Sequence, residues 1–234
     1  MTLASFCYLL GYLTGLAAFA LLARRRGLAT SGIMAVAGAG LIGGLLGANL
    51  GQWVCARVFH EVAAGKSVIG GLAGGYLAVI LYKRHLGIQR PTGDLFAVAL
   101  TAGEAVGRWG CFFAGCCYGT VTTVPWAVSE HGQMRHPTQI YSSAANVLIL
   151  AVLLRVEKTR PPENTLFYLQ GTLFCVARFA IEFFRAGPPP VAGLTLVQGA
   201  CAAGFVFFAV KLTRLFRPYR VRPVRAIPAG ELHG

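Results

Sequence analysis

Seven apolar runs, each close to the length that crosses a lipid bilayer, constrain this chain more than any other feature. Backbone polar groups in hydrocarbon must be satisfied within their own segment, so such runs predict helices. Only 12% of the residues are charged, about half the share found in soluble domains. We therefore expect an all-α polytopic membrane protein with about seven transmembrane helices. The expected spans, of which the third and fourth are short, are Leu3–Ala23, Gly32–Val54, Ser67–Tyr82, Asp94–Gly107, Thr138–Leu154, Thr165–Phe184 and Leu194–Leu212.

The basic residues orient the chain in the membrane. Of the 21 lysines and arginines, 15 follow the first, third, fifth or seventh run, which places them on one side of a seven-helix arrangement. The positive-inside rule makes that side cytoplasmic, so the N-terminus is expected outside and the C-terminus in the cytoplasm. The expected organisation is a transmembrane domain over residues 1–216 and a basic cytoplasmic tail over 217–234, lying against anionic lipid headgroups. The 15 residues are Arg24, Arg25, Arg26, Lys83, Arg84, Arg90, Arg155, Lys158, Arg160, Lys211, Arg214, Arg217, Arg220, Arg222 and Arg225.

Several other functions are excluded by the pattern. The net charge of +13 does not indicate a nucleic-acid partner, because no nucleic-acid-binding motif accompanies it. The first run is not a cleaved signal peptide, because its basic residues follow the apolar core instead of preceding it. The stretch GAGLIG at residues 38–43 matches a dinucleotide-binding pattern, but it lies inside an apolar run without the strand that this motif requires.

Glycines spaced four residues apart predict close packing between helices. Small residues at this spacing let two transmembrane backbones approach each other. A lipid-binding groove, left by the missing side chains, is the alternative interpretation. The pairs are Gly40/Gly44, Gly43/Gly47, Gly47/Gly51, Gly70/Gly74 and Gly71/Gly75.

Ionisable residues inside the expected spans are the strongest functional signal. Each costs about 2.5–3.5 kcal/mol at the centre of a helix, so each requires a partner or a wet cavity. Glu104 and Arg108 are four residues apart, as are Arg178 and Glu182, with Arg185 following. Residues at this spacing share one helix face. The pairs either neutralise each other and fix helix packing, or the two arginines hold a phosphate while the carboxylates orient them.

The segment RHPTQIY, Arg135 to Tyr141, leads into the fifth run from the outer side. Pro137 suits the first turn of a helix. Beside it lie His136, Gln139 and Tyr141, which supply an imidazole and two hydrogen-bonding groups. His136 is either a general base or an interfacial histidine.

The seven cysteines fall into two groups. Cys111, Cys116 and Cys117 are expected at the outer face, and three interpretations of them stay open. They form a disulfide among themselves or with Cys55, they bind a metal with histidines 131 and 136, or one is a reactive thiol beside Arg108. No C-x-x-C or H-x-x-x-H spacing supports a metal site. The cysteines expected to pack as small hydrophobic residues are Cys7, Cys175 and Cys201.

Three motifs, taken in order, resemble the prolipoprotein diacylglyceryl transferase family. They are GRWGCFFAGCCYG (Gly107 to Gly119), RHPTQIY (Arg135 to Tyr141) and RFAIEFFR (Arg178 to Arg185). The family pattern begins with Gly-Arg and ends with an aromatic residue and glycine. The resemblance extends from about the second to the seventh run, and the family's seven spans and outside N-terminus agree with the topology expected from charge.

The resemblance implies an enzyme of the bacterial cytoplasmic (inner) membrane that moves a diacylglyceryl group from phosphatidylglycerol to the lipobox cysteine thiol of a prolipoprotein signal peptide. No cofactor is implied. The implied catalytic residues are Arg108, Arg178, Glu182 and His136. The implied substrate-binding residues are Glu104, Cys111, Gly119, Gln139, Tyr141 and Lys66, and no residue is assigned to a metal.

The sequence departs from the family pattern on the acceptor side. Cys111 replaces an asparagine, Cys116 replaces a glutamate, and Ser142 replaces an acidic residue. The family's His-Gly-Gly element is absent, with Lys66 as the nearest polar residue, and the family's N-terminal tyrosine lies near but not in register with Tyr8 and Tyr12. The alternatives are therefore the same scaffold with a different acceptor, or a non-catalytic lipid-binding or cysteine-based redox or metal-handling membrane protein.

Overall fold

The computed structural model describes residues 2–58, 68–187 and 193–216, which form seven α-helices and one short β-hairpin. A helix covers most of each expected apolar run, so the expected all-α class is confirmed, and the hairpin of two three-residue strands is a small addition to it. The fourth helix is longer than expected, because it continues past Cys111, the first cysteine of the cysteine-rich motif Gly107–Gly119. The elements are α1 (Leu3–Arg25), α2 (Ser31–Val58), α3 (Val68–His85), α4 (Gly93–Phe113), β1 (Val128–Glu130), β2 (Gln133–Arg135), α5 (Thr138–Glu157), α6 (Thr165–Glu182) and α7 (Leu196–Leu215).

Four of the described helices are long and apolar enough to cross a membrane: α1, the part Ser31–Val54 of α2, α5 and α7. The other three carry charged groups that lower their mean hydropathy. Helix α3 ends in a basic turn, and α4 and α6 contain the expected Glu/Arg pairs. Large apolar side chains also face outward, such as Leu46 at 65% and Leu148 at 68% exposure. These are the features of a multi-pass membrane protein.

Helix α4 lies at the centre of the bundle, in contact with α1, α5 and α6, while α7 packs on α6. Small residues permit the close approach of α1 to α4. A Cβ atom added at Gly11 would lie 2.9 Å from the carbonyl oxygen of Gly103, and one added at Gly15 would lie 3.0 Å from that of Ala99. The apolar core, which includes Phe19, Leu95 and Leu153, fills one end of this bundle.

An ion-pair network covers the core at that same end. Arg26, which follows α1, donates to Asp94 at the start of α4 (2.8 Å) and to Glu157 at the end of α5. Asp94 also accepts the backbone N–H groups of Asn164 (3.1 Å) and Phe167 (3.0 Å), at the start of α6. The network therefore joins four helices at the end of the bundle opposite the cysteine-rich loop.

Helices α2 and α3 pack against each other through their glycines, as the four-residue spacing predicted. A Cβ atom added at Gly47 would lie 2.9 Å from the Cα atom of Gly74, and one added at Gly70 would lie closer still to the carbonyl oxygen of Gly47. Real Cβ atoms do not approach this closely, so only glycine permits the contact. The predicted close packing of these two helices is therefore confirmed. An apolar groove of about 630 Å³ also runs along the same helix pair.

Candidate functional site

Two Glu/Arg pairs form the charged centre of the molecule. On α4, the Nη2 atom of Arg108 lies 3.3 Å from the Oε1 atom of Glu104. On α6, Glu182 forms an ion pair with Arg178 and a second one, at 3.5 Å, with the Nε atom of Arg185. The i, i+4 pairing predicted from the sequence is therefore confirmed for both helices. Because each guanidinium has five N–H donors, these carboxylates leave other donors available.

The arginines of the two pairs line a common cavity. A small cavity of about 10 Å³ between α4, α5 and α6 is lined by both Arg108 and Arg178, together with Ser142 and Asn146. Five further residues, mainly apolar, complete its wall. Bringing two arginines from different helices to one enclosed space is costly unless an anion or carboxylates offset the charge. The two arginines therefore share one small, sheltered environment between the three helices.

Asn146 is part of this cavity, although sequence reasoning missed it. Its amide nitrogen lies 3.3 Å from the Oε2 atom of Glu104 and donates to the carbonyl oxygen of Ser142. Its amide oxygen is buried and has no hydrogen-bond partner among the described residues. The sequence did contain a signal for it. Asn146 is an isolated polar residue inside an apolar run, four residues after Ser142, and a polar side chain in such a run usually has a partner or a function.

The cysteine-rich motif continues into an extended segment that joins two parts of the site. Gly119 donates its N–H to the carbonyl oxygen of His136 (3.0 Å), and Thr120 donates to that of Phe184 (2.9 Å). A Cβ atom at Gly119 would lie 2.6 Å from the carbonyl oxygen of Phe184. Gly119, predicted to bind substrate, is therefore required by the close approach of three backbone segments. The segment ties the hairpin region to the end of α6.

Gln139 supports this loop from the first turn of α5. Its side chain is fully buried, and its amide nitrogen donates to the carbonyl oxygen of Cys116 (2.8 Å) and to Glu130 of β1 (2.9 Å). Glu130 was not singled out from the sequence, because its partner lies on another element nine residues away. These contacts give Gln139 a positioning function.

His136 and Tyr141 are in contact, as their positions in the motif suggested. The Nδ1 atom of His136 lies 3.1 Å from the hydroxyl oxygen of Tyr141, which accepts a hydrogen bond from the indole of Trp126 (2.7 Å). The ring of Phe184 packs 5.1 Å from the imidazole. His136 is half-buried, and its contact with the tyrosine hydroxyl orients the imidazole ring.

Three thiols meet where α4 ends. The sulfur atoms of Cys111, Cys116 and Cys117 all lie within 4.8 Å of one another, and each is a free cysteine. The hydroxyl of Tyr8 donates to the Cys111 sulfur (3.6 Å) and lies 3.9 Å from the Cys116 sulfur. Tyr8, which the resemblance left out of register, is therefore part of the cluster.

The surroundings of the cluster give two of these thiols different pKa values. A hydrogen bond from Cys111 and the positive charges of Arg185 and Arg108 lower the pKa of the Cys117 thiol to about 4. Burial instead raises the pKa of the Cys116 thiol above its usual range. Cys117 is thus the thiol that ionises at neutral pH, and it also has a left-handed backbone with φ of 62°.

The remaining predictions for these residue types have mixed outcomes. No disulfide joins the cysteines that the structure describes, and the expected burial of Cys7, Cys175 and Cys201 is confirmed. The histidines considered as metal ligands have other partners: His131 contacts the carbonyl oxygen of Gly115 at 2.9 Å, and His136 contacts Tyr141. Lys66 and the side chain of Cys55 lie outside the described residues.

Comparison with known proteins gives a consistent match. Residues 3–214 match the family model described as prolipoprotein diacylglyceryl transferase. Three relatives bear the name phosphatidylglycerol–prolipoprotein diacylglyceryl transferase. The one from Geobacter sulfurreducens is 32% identical over 88% of this chain and 86% of its own length. The one from Clostridium tetani is 30% identical over 70% of this chain and 73% of its own. The one from Clostridioides difficile is 30% identical over 64% of this chain, and the match spans 61% of that relative.

Proposed function

Because the chain belongs to the prolipoprotein diacylglyceryl transferase family, we propose that it transfers the diacylglyceryl group of phosphatidylglycerol to the lipobox cysteine thiol of a prolipoprotein signal peptide. The observation that carries this proposal is the shared cavity of Arg108 and Arg178. Two guanidinium groups from different helices, each held by its own carboxylate, suit one phosphodiester at the edge of a membrane.

The arginines bind the lipid headgroup in this proposal. Arg108 and Arg178 each keep 19% of their side chains exposed, so they are sheltered but reachable from the cavity. Glu104 and Glu182 fix the two guanidinium planes, and fixed planes are what bidentate phosphate recognition requires. Asn146, whose amide oxygen is free in the described structure, accepts a hydrogen bond from the glycerol headgroup.

The same arginines stabilise the leaving group. When the acceptor sulfur attacks the diacylglyceryl carbon, the carbon–oxygen bond to phosphate breaks and glycerol phosphate departs with an additional negative charge. Donors already aimed at the position of that charge lower the barrier without reorganising. Arg185 contributes from the end of α6, where Glu182 links it to Arg178.

His136 is the proposed general base for the acceptor. The attacking species must be a thiolate, so a group near the outer face has to accept the thiol proton. His136 stands at the start of α5, oriented by Tyr141, with the ring of Phe184 against it. An imidazole is the side chain that most often serves as a general base in proteins.

Seven spans with the N-terminus outside complete the proposal. Basic residues follow α1, α3, α5 and α7, and Arg26 joins the ends of α1 and α5 through Glu157, in support of one cytoplasmic end. The candidate site is at the other end, near Tyr8 and Cys111. We place it at the outer leaflet of the bacterial cytoplasmic membrane, where the cysteine of an exported protein emerges.

A transfer assay with matched arginine variants tests this function. Purified protein is mixed with phosphatidylglycerol labelled in its acyl chains and a lipobox peptide, and label on the peptide cysteine is measured. Arg108→Lys keeps the charge but loses the bidentate geometry, so we expect transfer to fall by about 100-fold. Arg90→Lys, at the exposed pair with Glu163, is the control and should not change transfer. Equal transfer by both variants would overturn the function given to Arg108.

A further inference from the structure

The thiol cluster of Cys111, Cys116 and Cys117 has the geometry of an incomplete metal site. Its three sulfur atoms lie within 4.8 Å of one another. Zinc binds thiolates at about 2.3 Å in a tetrahedral arrangement, which places the sulfurs about 3.8 Å apart. Small side-chain rotations are therefore sufficient to bring all three onto one ion. The position that remains open in such a site is the one where a catalytic zinc takes a water or a substrate.

The backbone around the cluster is held in place by buried groups. Cys116 donates its N–H to the carbonyl oxygen of Cys111 (3.1 Å). From α5, Gln139 donates to the carbonyl of Cys116 (2.8 Å) and Thr138 to that of Cys117 (2.6 Å). Both α5 side chains are fully buried. A left-handed φ at Cys117 costs about 1–2 kcal/mol for a residue with a Cβ atom. The hydrogen bonds just described hold the backbone in this conformation. A ligand set built on fixed backbone is the design that metal sites use.

The surrounding charges balance those of a zinc–thiolate centre. Arg185 and Arg108 both act on the Cys117 sulfur through their positive charges, and each also forms an ion pair with a glutamate. A divalent zinc with three thiolates has one net negative charge. These two guanidinium groups offset that negative charge.

We propose that Cys111, Cys116 and Cys117 bind one zinc ion whose fourth position takes the acceptor thiol; this rests on the proposed function. Soft thiolate ligands favour zinc over calcium or magnesium. The bound acceptor gives up its proton to His136, and its sulfur attacks the diacylglyceryl carbon. A carbon–sulfur bond forms, the carbon–oxygen bond to phosphate breaks, and the glycerol phosphate that leaves takes up the proton. The acceptor side of the site, where the sequence departs from the family pattern, thus activates the thiol with a metal ion.

Tyr8 directs the reaction to the acceptor in this arrangement. Its hydroxyl donates to the Cys111 sulfur and lies close to that of Cys116. A hydrogen bond to a metal-bound thiolate withdraws electron density from that sulfur. The incoming thiol, which lacks such a donor, is then the most nucleophilic sulfur at the ion.

Zinc binding is tested first, without any substrate. The full-length protein is purified in detergent under reducing conditions, and its zinc content is measured by elemental analysis. Cobalt substitution then reports thiolate ligation by its charge-transfer absorption. We expect about one zinc ion per chain, lost in Cys117→Ser and kept in Cys175→Ser, a buried cysteine of α6 outside the cluster. Tyr8→Phe should retain the ion with roughly tenfold weaker affinity. Folding of every variant is checked by thermal unfolding and size-exclusion chromatography.

Activity separates the zinc proposal from the function on which it rests. Removing zinc with a chelator should reduce transfer to the lipobox peptide by more than about tenfold, with recovery when zinc is returned. Zinc binding without any transfer in the intact protein would refute the acceptor and the proposed function but leave the metal site. Transfer that is insensitive to zinc removal would overturn the activation step. A folded protein that binds neither zinc nor cobalt, with three free thiols or a disulfide found by mass spectrometry, would overturn the site.

Discussion

The carboxylate of Glu182 is the group on which the charged centre depends most. It contacts both Arg178 and Arg185 and accepts a hydrogen bond from Thr195 (3.3 Å), and only 9% of its side chain is exposed. Glu182→Gln keeps the size of the side chain and one acceptor oxygen. It removes the negative charge that holds two guanidinium groups in one place.

The expected loss in the free energy of unfolding follows from the burial of the Glu182 carboxylate. Removing one partner of a buried ion pair typically destabilises a protein by about 3–5 kcal/mol, because an uncompensated charge remains. Both arginines keep about a fifth of their side chains exposed, so we expect the lower limit, about 3 kcal/mol. Since 1.4 kcal/mol corresponds to a factor of ten, the ratio of folded to unfolded protein is expected to fall by about 100-fold. Transfer is expected to fall as well, because two guanidinium groups lose the carboxylate that holds them.

Thermal unfolding and lipid transfer are measured for Glu182→Gln beside a matched control. Glu163→Gln removes the same group from an ion pair with Arg90, in which the side chains are 47% and 58% exposed. That pair should contribute at most about 1 kcal/mol, with no effect on transfer. If both variants have wild-type melting temperature and transfer, the charged centre is not held by Glu182 and the argument for the phosphate site fails.

Three further predictions test other parts of the structure. Gly119→Ala should destabilise the protein by about 1–3 kcal/mol and reduce transfer, because its Cβ meets backbone atoms of two other segments; wild-type melting would contradict this. Gly74→Ala should weaken the α2–α3 contact measurably, whereas Gly38→Ala, with open space around it, should not, and equal melting temperatures would show that close packing is unimportant. In metal-free protein, alkylation followed by peptide mass spectrometry should label Cys117 at pH 6 but not Cys116: a pKa of about 4 leaves Cys117 as thiolate at that pH, while burial keeps Cys116 protonated. Reaction of Cys117 only above pH 9 would contradict the assigned environment.

Local patterns in the sequence were sufficient for much of this account. Apolar runs gave the helices, and four-residue spacing gave both Glu/Arg pairs and the α2–α3 glycine contact, because each depends on the geometry of a single helix face. The two arginines were also interpreted as holding one phosphate together, and the structure brings both of them to the wall of one small cavity. Isolated charges in hydrocarbon need a common polar environment, which is why they lie together.

Contacts between distant segments could not be predicted in this way. Tyr8 meets Cys111 across more than a hundred residues, and Glu130 meets Gln139 only because a short hairpin brings it there. The structural reason for Gly119 depends on two other backbone segments. Cysteine spacing likewise gave no metal signal, because a left-handed turn, not a regular C-x-x-C interval, brings the three sulfurs together.

The most direct test of the central claim is to follow both halves of the lipid in one reaction. Phosphatidylglycerol labelled with ³²P in the headgroup and with ¹³C in the diacylglyceryl half is incubated with the protein and a lipobox peptide. If the proposed transfer is correct, we expect a peptide whose cysteine carries the ¹³C-labelled group as a thioether, and an equal amount of released glycerol phosphate that keeps the ³²P. A peptide that receives ³²P, or lipid turnover that leaves the peptide cysteine unmodified, would contradict it.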